Sequence, residues 1–252
     1  MAITTFAKPA MFALFSPPPR PCTANPAHAT PVLDLPALAG PAAWARLPAA
    51  VQRRFGTAHA SVTYHGHMDL RCSLIGHVYA ALARAWGGPL THINTSGLPA
   101  TVHVSHNGRG GVVWERRFHT GAAADADNIN GTDRTVRSTK ELGTDGTLLE
   151  RTDGGLAMSL DVLEDGGALV FRSRRFWWVV AGLRIPVPAL LTPGTCRVAH
   201  TDLGAGRFRF TLSMLHPLWG ETFHQSGVFT DPVIDPVVDG SAVTARTRSS
   251  CH

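Results

Sequence analysis

The spacing of hydrophobic residues changes near residue 91, and this change divides the chain into two parts. Before it, hydrophobic residues recur at intervals of three and four, which is typical of amphipathic helices. Residues 42–55 and residues Asp69–Trp86 follow this spacing, and the second segment ends in Gly87-Gly88-Pro89. Glycine followed by proline commonly ends a helix. The pattern therefore predicts one or two N-terminal helices, the longer one over Asp69–Trp86.

From about Thr91 onwards, hydrophobic and polar residues alternate, and turn residues separate the alternating runs. This pattern is typical of an antiparallel sheet. Three runs are especially regular: Ala100–Val104, Leu156–Val162 and Phe208–Met214. Within residues 169–180 the alternation changes phase, and one extra residue in a strand produces such a change. We therefore predict a β-bulge near residues 173–175.

These elements predict an α+β fold, in which N-terminal helices precede a curved, mostly antiparallel sheet with a half-barrel or barrel-like form. A sheet with one hydrophobic face must bury that face against a second layer or against itself. We therefore expect a pocket enclosed by the sheet. Residues 1–40 are rich in proline and predict a disordered arm, residues 41–231 a single α+β domain, and residues 232–252 a loose C-terminal tail.

Composition and charge narrow the possible functions. Of the 252 residues, 44% are hydrophobic and 16% are charged, which excludes a wholly disordered chain and a coiled coil. The net charge is +5, but net basic segments at 1–121 and 166–252 flank a net acidic one, so we expect no nucleic-acid partner. No hydrophobic run reaches the ~18 residues of a membrane-spanning helix. We expect a soluble cytoplasmic protein, with peripheral membrane attachment as the alternative.

The common cofactor and catalytic motifs are absent from the chain. It contains no GxGxxG between a strand and a helix, no GxxxxGK[ST], no GxSxG and no HExxH, so we expect no nucleotide cofactor. His65, His67 and Asp69 could ligate a metal, but with thirteen histidines chance pairs are frequent, and we predict no metal site. The four cysteines are widely spaced, which predicts free thiols.

Three segments carry a resemblance to a known family: Trp114–Phe118, Leu183–Pro188 with Pro193, and Phe208–Phe210 running to His216-Pro217-Leu218-Trp219-Gly220. Their order and spacing resemble a bacterial domain of unknown function, found alone or C-terminal to saccharopine-dehydrogenase-like, NAD-binding domains. The resemblance covers roughly residues 45–230. It implies a fold and a dehydrogenase-like partner, but no activity and no catalytic residues.

The segment Trp114–Phe118 also supplies the first candidate for a binding site. If Trp114, Arg116 and Phe118 point inward, Arg116 is a buried cation that needs a carboxylate partner or an anionic ligand, and Glu150 is a candidate partner. The alternative is that Arg116 extends outward and only the aromatic residues pack. The complete set of predicted ligand-binding residues is Trp114, Arg116, Phe118, Glu150, Phe171, Arg172, Trp177, Phe208 and Phe210.

Three hypotheses for the function follow. The first is binding of a hydrophobic or amphipathic small molecule, lipid-like or isoprenoid-like, in the sheet-enclosed pocket. The second is an enzyme on the same scaffold that uses Glu115, Glu150 or a histidine as general acid or base. The third is binding of RNA or an anionic membrane surface through the arginines and aromatic residues of Phe171–Trp178. The sequence leaves the oligomeric state open.

Overall fold

The structure is a computed structural model that describes residues 32–56, 61–84, 93–120, 133–180 and 183–232. The helices are α1 (Leu35–Ala39), α2 (Pro41–Arg46), α3 (Ala49–Gly56) and α4 (Leu74–Arg84), with a 3-10 helix at Ala189–Leu191. The strands are β1 (Val62–Cys72), β2 (Thr95–His106), β3 (Val112–Phe118), β4 (Arg134–Leu142), β5 (Leu148–Thr152), β6 (Leu156–Asp165), β7 (Ala168–Val180), β8 (Leu183–Val187), β9 (Thr195–Gly204), β10 (Arg207–His216) and β11 (Gly220–Thr230).

Within these ranges the strands form one antiparallel sheet that closes on itself. Its order is β6-β5-β4-β3-β2-β1-β11-β10-β9-β7-β8. The sheet closes because β6 also pairs with β7, from Leu156 opposite Trp178 to Asp165 opposite Ala168. Ten of the described strands therefore form a closed barrel, and β8 adds to the outer edge of β7.

The prediction of an α+β fold with a half-barrel is therefore wrong, although the antiparallel sheet is confirmed. The helices are short, and they pack at the ends of the barrel rather than forming a layer across the sheet. The closing pair β6–β7 supplies the physical reason. Because the sheet buries its hydrophobic face against its own opposite wall, it needs no second layer of helices.

The predicted helix over Asp69–Trp86 is also wrong in its first part. Tyr64, Met68 and Leu70 are buried at alternate positions of β1, and the strand continues to Cys72. Helix α4 begins only at Leu74, after Ser73, whose hydroxyl accepts a hydrogen bond from the Gly76 amide at 3.1 Å. Residues 85–92, which include the predicted glycine-proline end, lie outside the described residues.

The predicted bulge in β7 is confirmed. Ser159 of β6 lies opposite Arg175, whereas the next residue, Leu160, lies opposite Ser173, so Arg174 is the extra residue. Since side chains alternate between the two faces, the extra residue lets Phe171 and Phe176 both belong to the hydrophobic core.

Helices α1 to α3 lie at one end of the barrel, and α3 is tightly attached there. Phe55 of α3 packs among inward-facing rings, 5.9 Å from Trp114 and 6.2 Å from Phe171 between centroids. Arg54 donates hydrogen bonds to Asp231 at 2.6 and 2.7 Å and to Asp202 at 3.1 Å. Helix α1 lies inside the segment predicted as a disordered arm, and residues 1–31 and 233–252 lie outside the described residues.

Candidate functional site

A cavity of about 60 Å³ lies inside the barrel. Its lining combines aromatic walls with a group of polar side chains that five of the ten barrel strands contribute. The aromatic walls are Trp114, Phe118, Phe208, Phe210 and Phe229. The polar side chains are Arg116, Ser138, Lys140, Glu150, Thr152, Cys196, His200 and Gln225.

Three neighbouring strands bring the charged groups together. Arg116 is on β3, Lys140 on β4 and Glu150 on β5, and β4 and β5 place Lys140 directly opposite Glu150. The Lys140 Nζ lies 3.1 Å from Glu150 Oε1, and their side chains are only 8% and 6% exposed. Lys140 and Glu150 therefore form a buried ion pair, and Arg116 faces the same cavity.

The charges of Lys140, Arg116 and Glu150 influence one another, and their sum is positive. Burial raises the pKa of Glu150, but the charges of Lys140 and Arg116 outweigh burial, so the pKa lies below its ordinary value. Burial lowers the pKa of Arg116, and the charge of Glu150 partly offsets this effect. Two cations therefore share one carboxylate in the interior, which leaves one positive charge uncompensated within the group.

Aromatic rings supply part of the missing compensation. The Lys140 Nζ lies 5.2 Å from the ring centroids of both Trp114 and Phe171, and the Arg116 guanidinium lies 5.8 Å from that of Phe210. These distances fall within the ~6 Å over which a ring face attracts a cation. The Nε of Arg116 is nevertheless buried without a hydrogen-bond partner among the described residues.

His200 of β9 lies at the boundary between this cavity and helix α3. It is buried, and its ring lies 4.8 Å from Phe55, 5.4 Å from Phe210 and 5.6 Å from Trp114 between centroids. Burial, followed by the charges of Lys140, Arg54 and Arg116, lowers the pKa of His200 to about 3. The imidazole is therefore neutral at physiological pH, and in the described structure its Nδ1 has no hydrogen-bond partner.

Cys196 also lines the cavity, but its thiol is not activated. Burial raises the pKa of Cys196 to about 12, so the thiolate that acts as a nucleophile does not form at neutral pH. Cys72, the other cysteine within the described ranges, is also a free thiol, as the spacing predicted. Cys22 and Cys251 lie outside those ranges.

The structure places most of the predicted ligand-binding residues in the cavity wall. These are Trp114, Arg116, Phe118, Glu150, Phe208 and Phe210. Phe171 is buried in the core beside Phe55 and lines a smaller neighbouring cavity. The other two lie elsewhere: Arg172 is half exposed and pairs with Asp161 at 3.5 Å, and Trp177 lines a groove on the outside of the barrel.

Glu115 and Glu150 do not come together, and neither do the candidate metal ligands, although His200 lines the same cavity as Glu150. Glu115 lies on the other face of β3 from Arg116 and pairs with Arg117 at 3.5 Å, so the barrel wall separates it from Glu150. His65 and His67 are exposed on β1. In the part of the chain that the structure describes, no group of three His, Cys, Asp or Glu side chains could hold a metal ion.

Neither Lys140 nor His200 is among the residues predicted to bind a ligand. Lys140 belongs to β4, whose sequence RTVRSTKEL contains only two hydrophobic residues and shows no regular alternation. A strand that lines a polar cavity loses the alternation that identifies it. Lys140 lies two and four residues after Ser138 and Val136, so the three side chains share one face of a strand. This spacing was the available indication that Lys140 faces inward.

The described helices include none that is both long enough and hydrophobic enough to cross a membrane.

A closed antiparallel barrel with a charged interior cavity is compatible with a protein that encloses a ligand. The model of one family, Domain of unknown function (DUF4166), matches residues 47–229, so the chain belongs to this family. No curated protein matches the chain. The match covers this domain alone, and the dehydrogenase-like partner therefore stays an implication of the resemblance.

Proposed function

We propose that the barrel binds a small amphipathic molecule whose anionic group, a carboxylate or a phosphate, enters the interior cavity. The observation that carries this proposal is the charge imbalance: Arg116 and Lys140 face the cavity, and Glu150 alone opposes them. An unpaired charge in an apolar interior is costly. The anion of a ligand would balance it and would accept a hydrogen bond from the Arg116 Nε.

The size of the cavity limits which part of the ligand it can hold. Its volume is about 60 Å³, whereas a single water molecule requires roughly 10–15 Å³ on the same measure. The cavity accommodates a head group of a few heavy atoms but no hydrocarbon chain. A lipid-like or isoprenoid-like tail would have to leave the cavity.

One route for such a tail passes Met158. This residue lines the cavity, and its cross-strand neighbour Phe176 lines a larger hydrophobic groove of about 640 Å³ at the opposite end of the barrel from α3. A tail that passes between Met158 and Phe176 would enter this groove. The proposed ligand therefore spans the inner cavity and the outer groove.

The pKa shifts favour binding over acid–base catalysis. An efficient general acid or base has a pKa near the working pH. Here the pKa of Glu150 lies below its ordinary value, that of His200 is about 3 and that of Cys196 is about 12. Each shift moves the group further from titration at neutral pH. These groups are therefore better suited to hold a charge than to transfer a proton.

The RNA hypothesis has less support from the described surface. Two of the arginines proposed to contact RNA, Arg172 and Arg174, both pair with the carboxylate of Asp161, at 3.5 and 2.6 Å. That carboxylate reduces the positive charge of the patch, and phosphate binding depends on that charge.

The test measures binding of octanoate, octyl phosphate and uncharged octanol by isothermal titration calorimetry. Arg116→Gln removes the inward cation, and the matched control Arg117→Gln removes its exposed neighbour on the outer face. Loss of a charge-assisted hydrogen bond should weaken binding of the anions by at least about tenfold in Arg116→Gln. Arg117→Gln should bind like the wild type, and octanol should bind more weakly than octanoate.

The proposal is wrong if neither anion binds, if octanol binds as tightly as octanoate, or if folded Arg116→Gln binds the anions as tightly as the wild type. Circular dichroism of both variants checks that they are folded. Native mass spectrometry of the gently purified protein, followed by organic extraction, then identifies the natural ligand.

A further inference from the structure

The end of the barrel opposite α3 exposes a concentration of large hydrophobic side chains. We call this surface the apolar end; it comprises the exposed hydrophobic residues of 74–82, 183–191 and 215–219. It contains ten of the twelve exposed large hydrophobic side chains in the described ranges, each 52–84% exposed. Monomeric proteins rarely expose contiguous hydrophobic surface on this scale unless it binds something.

Three separate elements build this surface, and internal hydrogen bonds hold them together. The Tyr79 hydroxyl of α4 donates to the Leu190 carbonyl of the 3-10 helix at 3.1 Å. His216 is buried, and its Nδ1 accepts hydrogen bonds from the amides of Leu218 at 3.1 Å and Trp219 at 3.3 Å. The exposed side chains therefore project from a cross-linked framework.

Arginines lie next to the apolar end. The hydrophobic groove of about 640 Å³ between α4 and β8 has no charged residue in its wall. The adjoining groove of about 860 Å³ contains Arg175 and also Arg174, whose charge is balanced by Asp161 at 2.6 Å. Arg175 is exposed and has no carboxylate partner among the described residues, and Arg184 is exposed between Leu183 and Ile185 on β8.

We infer that the apolar end docks on an anionic lipid membrane. Aliphatic side chains and Trp219 would enter the boundary between head groups and acyl chains, and the neighbouring arginines would meet anionic head groups. A protein partner would need hydrogen-bonding groups within the contact, whereas the exposed side chains here are almost all aliphatic. Helices α1 to α3 would then face away from the membrane.

This placement has a consequence for ligand entry. The groove wall contains Phe176, the neighbour of the cavity residue Met158, so the groove would open directly onto the membrane. The inference itself does not depend on the interior ligand, because it rests on the exposed surface alone.

Flotation with lipid vesicles tests the inference. The vesicles consist of phosphatidylcholine alone or of phosphatidylcholine with phosphatidylglycerol, each at low and high salt. The double variant Leu190→Ser/Leu191→Ser removes two exposed side chains, and Arg175→Gln removes the unpaired charge. The matched controls are Val228→Ser and Arg209→Gln, a cross-strand pair on the outer wall of the barrel.

The wild type should float with the phosphatidylglycerol vesicles, less so at high salt. The double leucine variant should lose at least about tenfold in vesicle affinity, since roughly 0.8 kcal/mol is lost per buried CH₂. Arg175→Gln should lose severalfold, and both controls should float like the wild type. Arg116→Gln should also float normally, which separates this test from that of the interior ligand.

Three results would overturn the inference. The first is the absence of the wild type from the phosphatidylglycerol vesicles at low salt, and the second is flotation of the double leucine variant as well as the wild type. The third is a wild-type protein that is dimeric in analytical ultracentrifugation and does not bind vesicles, while the double leucine variant is monomeric. The apolar end would then be an interface between two copies of this chain. The leucines are exposed, so the variant should fold, and circular dichroism verifies this.

Discussion

Gly76 of α4 lies against the backbone carbonyl of Thr222 in β11, so close that a Cβ on Gly76 would come within 2.2 Å of that oxygen. Ala80, one turn further along the helix, is also buried. Helix α4 therefore packs through its smallest residues. Its hydrophobic residues Leu74, Val78 and Leu82 consequently face outward and form part of the apolar end.

The first prediction concerns this contact. On an isolated helix, replacing glycine by alanine stabilises by about 1 kcal/mol. Because the added methyl group of Gly76→Ala meets a backbone atom that cannot rotate away, we expect a loss of about 1–3 kcal/mol in the free energy of unfolding instead. Urea unfolding measures it. The control Val78→Ala, on the exposed face of the same helix, should stay within about 0.5 kcal/mol of the wild type. A Gly76→Ala variant as stable as the wild type would show that α4 is loosely attached.

The same helix shows where sequence patterns mislead. The stripe from Leu70 to Leu82 has helical spacing, but it combines a buried strand residue with exposed helix residues. Spacing indicates which residues share a face, and it does not indicate whether that face is buried. Closure of the barrel was also beyond prediction, because the alternation within β6 and β7 specifies their inward faces and not their pairing with each other.

The interior site was predictable in part. The alternation of Trp114, Arg116 and Phe118 places all three on one face, and the need of a buried cation for a carboxylate pointed to Glu150. Lys140 was not predicted because β4 contains too few hydrophobic residues to show which of its side chains face inward. The bulge in β7 was predictable because a phase change within one run has a single local explanation, an extra residue.

The second prediction tests the interior ion pair. Glu150→Gln leaves Lys140 and Arg116 in the barrel with no carboxylate, and removing one partner of a buried pair typically costs about 3–5 kcal/mol. The control is Glu141→Gln on the same pair of strands, where Glu141 pairs with Arg151 at the surface. Such exposed pairs contribute about 0–1 kcal/mol. Denaturant unfolding at neutral pH should show this difference, and equal losses in the two variants would contradict the description of Glu150 as buried and paired.

The third prediction concerns the pH dependence of stability through His200. Its pKa is about 3 in the folded protein, against an ordinary value of 6.5 in the unfolded chain. Below pH 6.5 the unfolded state therefore binds a proton that the folded state does not, and stability falls as the pH falls. Between about pH 6 and pH 5, His200 should contribute a loss of about 1 kcal/mol per pH unit. The depressed pKa of Glu150 acts mainly below this window, so the contribution of Glu150 to the slope is small there.

Two variants check that assignment. His200→Phe should flatten the slope of unfolding free energy against pH by about one proton in this window, because phenylalanine does not titrate. His106→Gln, which replaces an exposed histidine at the end of β2, should retain the wild-type slope. An unchanged slope in His200→Phe would mean that folding does not lower the pKa of His200.

The fourth prediction separates the two cations of the cavity. Lys140 makes the close contact with Glu150, and Lys140→Met removes it while Arg116 still opposes the carboxylate charge, so the protein should lose about 1–3 kcal/mol of stability. Arg116 has an unpartnered Nε and adds the uncompensated charge, so Arg116→Met, of similar length but neutral, should leave stability unchanged or raise it by about 1 kcal/mol. The same variant should lose binding of octanoate. Such a result would show that Arg116 does not stabilise the fold but is required for ligand binding. Arg116 would then be present for binding rather than for folding. If Arg116→Met is instead destabilised as much as Lys140→Met, Arg116 is a structural partner of Glu150. The positive charge of the cavity is then no evidence for an anion-binding site.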